Sequence, residues 1–84
     1  MRDATRTVDD EAAAALAGIE AAQRELENWR EHVLRARRSG EPGVAHQARR
    51  SAQIVSGCVS EAVAHTAELV HRVERTSFRL TPAR

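Results

Sequence analysis

Five side chains in one stretch of the sequence are of the kinds that bind metals or move protons: Cys58, Glu61, His65, Glu68 and His71. Cys58 precedes Glu61 by three residues and Glu61 precedes His65 by four, so on a helix these three share a face. A soft thiolate, a carboxylate and an imidazole at that spacing form a candidate zinc or iron ligand set, with Glu68 as a further donor. The helical-bundle signature for such sites is Glu-x-x-His supplied from two helices. Here the spacing is Glu61-x-x-x-His65, and the first half of the chain offers only His32. A solvated helix edge explains the same residues, so no cofactor is expected and the metal set stands as an alternative.

The second chemical feature is basic. Arg35, Arg37, Arg38, Arg49 and Arg50 crowd around the one cluster of turn residues, Ser39-Gly40-Glu41-Pro42-Gly43, opposed locally by Glu41 alone. All thirteen cationic side chains are arginine. Such a tip suits an acidic partner or phosphate. The formal net charge is only +1 and aromatic residues make up 2% of the chain, so nucleic acid is not expected as a partner.

The elements that must carry these residues follow from composition. The chain has 84 residues, of which 42% are hydrophobic and 30% charged, and sixteen of the hydrophobic ones are alanine. That length is one small domain at most, which excludes a multidomain enzyme. No stretch approaches the ~20 consecutive apolar residues of a membrane span. Met1–Asp10 lacks the apolar core of a secretory signal, and a single cysteine forms no internal disulfide; a cytoplasmic location is the expectation. The turn cluster divides the chain into two segments rich in Ala, Glu, Arg and Leu, all good helix formers. The sequence predicts helix 1 over residues 7–38, a turn at 39–43, helix 2 over 44–77 and a tail at 78–84.

Capping residues agree with these bounds. Thr7 is an N-cap with Asp10 three residues on, and Asp9, Asp10 and Glu11 sit at the positive end of the helix dipole. Arg35, Arg37 and Arg38 occupy the last turn, and Gly40 is placed for a left-handed cap. Pro42 suits the first position of helix 2, and Pro82 forbids continuation through it.

Heptad periodicity runs through both segments. With a at Ala12, Ile19, Leu26 and Val33, the d positions are Val8, Ala15, Ala22, Trp29 and Ala36. The flanking e and g positions include Gln23, Arg30 and Arg37 (e) and Glu11, Glu25 and His32 (g). In helix 2, a falls at Ala45, Ala52, Val59, Thr66 and Val73, and d at Ala48, Val55, Ala62, Leu69 and Thr76. A sustained 3-4 repeat predicts a left-handed seam, and the short connection makes the helices antiparallel. The expected seam is a against d, with Trp29 as a core anchor opposite small alanines and Cys58 as a small interface hydrophobe.

Apolar side chains off that seam are Leu16 and Leu34 on helix 1 and Ile54, Cys58, Val63 and Val70 on helix 2. Left in water, they form a patch that seeks a partner. The expectation is therefore an all-α antiparallel hairpin that dimerises into a four-helix bundle, or else pairs with another helical protein. Its function is scaffolding or protein–protein interaction rather than catalysis, through Leu16, Leu34, Ile54, Val63 and Val70 and, at the tip, Arg37, Arg38, Arg49 and Arg50. Glu20–Arg24, Glu31–Arg35 and Glu68–Arg72 are expected i,i+4 surface pairs.

The architecture is similar to that of the small hairpins of type VII secretion, which also dimerise into bundles. Their Trp-x-Gly turn is absent, since Trp29 lies eleven residues before Gly40, and without tyrosine there is no Tyr-based export signal. The likeness is one of architecture alone. A phosphotransfer role for His65 or His71 is not expected either. Thr66 and Arg72 follow them, where helical signalling bundles carry an acidic residue or a Lys-Gly pair.

Overall fold

The computed structural model describes residues 7–80, and the side chains of 7–75. Two helices account for them: α1, Val8–Ser39, and α2, Pro42–Leu80. They pack antiparallel as a single hairpin 66 Å long and only 14 Å thick. No described helix is long and apolar enough to cross a membrane.

The ends of α1 are built by the residues the sequence nominates. Thr7 accepts from the Asp10 amide and Asp10 Oδ2 accepts from the Thr7 amide, both at 3.1 Å, closing a capping box. Two of the four orphan amides of the first turn are thereby satisfied. Gly40 ends the helix at φ 67°, in the left-handed region where a side chain would be strained, and its amide donates to the Ala36 carbonyl at 2.8 Å. Pro42 opens α2, where its missing N–H costs nothing. The helix continues to Leu80 rather than fading at Thr76–Ser77, because neither of those residues breaks a helix and the first proline beyond them is Pro82. Residues 78–80 of the expected tail are thus helical, and 81–84 lie outside the described residues.

The seam differs from the expected one in a specific way. The d row is inside: Ala15, Ala22, Val55 and Ala62 are only 5–6% exposed. Its companion is the g row rather than the a row. Glu11, Gly18, Glu25 and His32 of α1 and Val44, Ser51, Cys58, His65 and Arg72 of α2 are buried or half-buried. Ile19, Leu26 and Val33 at a are 43–45% exposed, as are Val59 and Val73.

The reason is side-chain size. The helices approach so closely that a Cβ at Gly18 would sit 3.0 Å from the Ala62 Cβ and 3.3 Å from its backbone. Small residues fit such a gap, whereas an isoleucine, leucine or valine at the Gly18–Ala62 crossing would force the helices apart; further along, the seam takes Val55. Trp29, at d, is half-buried rather than a core anchor.

Candidate association surface and buried polar cluster

With d and g turned inward, the a and e positions of both helices come to lie on the same broad side of the hairpin. This follows from antiparallel packing, which sets the two d rows side by side and leaves the a and e rows flanking them on one face. Leu16, Ile19, Leu26 and Val33 from α1 and Val59, Val63, Val70 and Val73 from α2 are all exposed there, Val63 most of all at 60%. Between the helices runs an open groove of about 530 Å³, walled by Ile19, Leu26, Val59, Val63 and Thr66, with the buried Ala22 and Ala62 among its lining. Thr66 does not make the groove polar, because its hydroxyl donates to the Ala62 carbonyl of its own helix at 2.8 Å. A contiguous aliphatic face of this kind is an interaction surface by physical type.

Leu16, Val63 and Val70 belong to this face as the sequence suggests. Ile54 does not. It occupies the c position, whose neighbours Glu61 and Glu68 make the opposite side polar. Leu34 is half-buried on the outer edge near the turn.

Among the described residues, polar contacts cross the seam near both of its ends. Near the turn, His32 Nδ1 and Ser51 Oγ lie 2.6 Å apart, with Ser51 buried. Near the open end, Glu11 is the most deeply buried side chain described, at 2% exposure. Its Oε1 is 2.9 Å from His65 Nδ1, and its Oε2 is 3.5 Å from Arg72 Nε. That Nε is buried and faces the carboxylate without hydrogen-bond geometry, while Arg72 Nη2 reaches the exposed Glu68 at 3.6 Å. Glu68–Arg72 is the expected i,i+4 pair. A buried carboxylate held by an imidazole and a guanidinium fixes register, since a one-residue slip would leave it without those partners.

Sequence reasoning placed Glu11 at the capped helix end and at a flanking position, and missed its burial. The signal was present: g carries Gly18 and Ser51, small residues that make sense only at a close contact.

The same geometry separates the candidate metal ligands. Cys58 and His65 sit one heptad apart on the g row, a rise of ~10 Å, and Glu61 is exposed at c. His65 is engaged by Glu11. Among the described residues, no three His, Cys, Asp or Glu side chains converge on a point that would hold a metal ion.

Arg35, Arg37, Arg38, Arg49 and Arg50 are all exposed around the turn, and none forms an ion pair among the described residues. Among those residues the opposite, open end carries Asp9, Asp10, Glu11, Glu68 and Glu74 together with Arg72 and Arg75. Over the described residues the turn is therefore the basic end of α1 and Asp9–Glu11 its acidic end.

Comparison with protein families, with curated proteins and with solved structures gives no match to this chain. The functional reading rests on its own geometry.

Proposed function

We propose that this chain is a non-catalytic helical association module that completes a four-helix bundle, by self-association or with a helical partner. The observation that carries this reading is the placement of eight large aliphatic side chains on one face while Val55 is the one large aliphatic buried in the described seam, whose other buried apolar residues are alanine. A folded protein that needed these aliphatics only for its own core would have put them inside. The groove on that face is open and predominantly apolar, and lacks the convergent polar groups that position a substrate. It suits the ridges of another helix pair, which pack at 8–10 Å separations.

The test is Val63→Glu combined with Val70→Glu. Both sites are solvent-exposed in the hairpin, so helicity is expected to persist while the sedimenting mass falls to that of one chain. Retention of the associated mass would remove the face from the interface.

A further inference from the structure

We infer that the occupant of this face is a second copy of the chain, laid across it in the opposite direction, with the two-fold axis passing beside Gln23. This rests on the association reading and adds partner and geometry to it.

The exposed rows of α1 carry the argument, because they are nearly symmetric under reversal. Along e the residues are Asp9, Leu16, Gln23, Arg30 and Arg37. Asp9 lies fourteen residues before Gln23 and Arg37 fourteen after it, ~21 Å in each direction at the helical rise. An isologous contact centred on Gln23 pairs Asp9 with Arg37 of the second copy, and Arg37 with its Asp9. Both side chains are exposed, and neither is in an ion pair among the described residues of the hairpin. Along a the same reversal sets Ile19 close to Leu26 and Ala12 close to Val33, whereas along e Leu16 falls against Arg30, whose alkyl stem covers it.

On α2 the reversal matches large with small. Gly18 meets Ala62 and His32 meets Ser51, which bracket the level of Gln23 between Gly57 and Ser60, near Cys58. Reflection about that level brings Val63 over Ala52 and Val70 over Ala45. The alternative two-fold, with both turns at one end, stacks α1 on α2 and gathers both arginine tips together. Like charges so placed oppose association, whereas reversal sets the basic tip of each α1 beside the Asp9–Asp10 end of the second copy's α1.

The decisive probe is a cysteine at Gln23 in the full-length chain, with Cys58→Ser to remove the native thiol. A two-fold axis at Gln23 brings its own copy within disulfide reach, which requires Cα atoms less than ~7 Å apart. Under mild oxidation Gln23→Cys is expected to give a covalent dimer in high yield, and Arg24→Cys, on the outward f row, little. The charge partner is tested separately: Arg37→Asp should weaken association several-fold, and adding Asp9→Arg should restore it.

A dimer that fails to cross-link through position 23 overturns this arrangement and leaves the reading of the face standing. A Cys58→Ser protein that is monomeric overturns the second copy as occupant. If, in addition, Val63→Glu with Val70→Glu leaves apolar-dye binding by that monomer unchanged, the reading of the face falls as well.

Discussion

The inner seam and the outer face of this hairpin are drawn from the same heptads yet differ in almost every physical respect. The seam is lined by Ala15, Gly18, Ala22, Ser51 and Ala62 and crossed by buried polar pairs, whereas the face displays Ile19, Leu26, Val33, Val59 and Val63 to solvent. Small residues let two backbones meet closely, so much of the seam's contribution is helix-on-helix contact. They bury little apolar area each, at about 25 cal/mol per Å², so two such helices gain modestly from pairing. Larger gains are held in reserve on the outside. The contrast teaches that heptad hydrophobicity marks which rows are apolar, and that side-chain size decides which contact each row serves.

Substitutions on the two sides should behave oppositely, and the largest effect is expected outside. Leu26→Ala, at an exposed site of the hairpin, should cost about 2–5 kcal/mol of bundle stability if the face is covered, the range for a buried leucine. Thermal unfolding at constant chain concentration measures it, and a cost under about 0.5 kcal/mol would mean that Leu26 stays in water. Ala22→Leu adds bulk to the seam and should destabilise by about 1–3 kcal/mol. Unchanged melting there would show that the helices are not in close contact.

Removal of the buried carboxylate comes next. Glu11→Ala takes away the hydrogen-bond partner of His65 and the ion-pair partner of Arg72 and should cost about 2 kcal/mol, since hydrogen bonds to charged groups contribute about 1.5–3. His65 and Arg72 retain some exposure and recover solvation, which keeps the loss below that of a fully buried orphan charge. A double-mutant cycle with His65→Ala should show coupling between the two. Smallest is Thr7→Ala, which opens the capping box for about 1 kcal/mol and should fray the first turn of α1 in amide exchange without altering association.

Much of this architecture is legible before any coordinates. Thr7, Asp10, Gly40 and Pro42 announce the helix ends because capping is local chemistry, decided within four residues. The antiparallel pairing follows from a turn too short for anything else. The choice between a and g as companion to d is not local, since it depends on how near α2 lies to α1 and hence on which side chains fit between them. The burial of Glu11 is not local for the same reason: the imidazole that engages it, His65, lies fifty-four residues away. Cys58, Glu61 and His65 share a helical face by count, but the metal reading needs them to converge on one point, which a rise of ~1.5 Å per residue along a straight helix does not allow.

The central claim is that the aliphatic face is covered by another copy in solution. Sedimentation equilibrium of the purified chain over a hundred-fold dilution tests it most directly. The account predicts twice the 9.3 kDa chain mass at the upper concentrations, dissociating on dilution. A constant 9.3 kDa throughout, with the helices intact by circular dichroism, would contradict it.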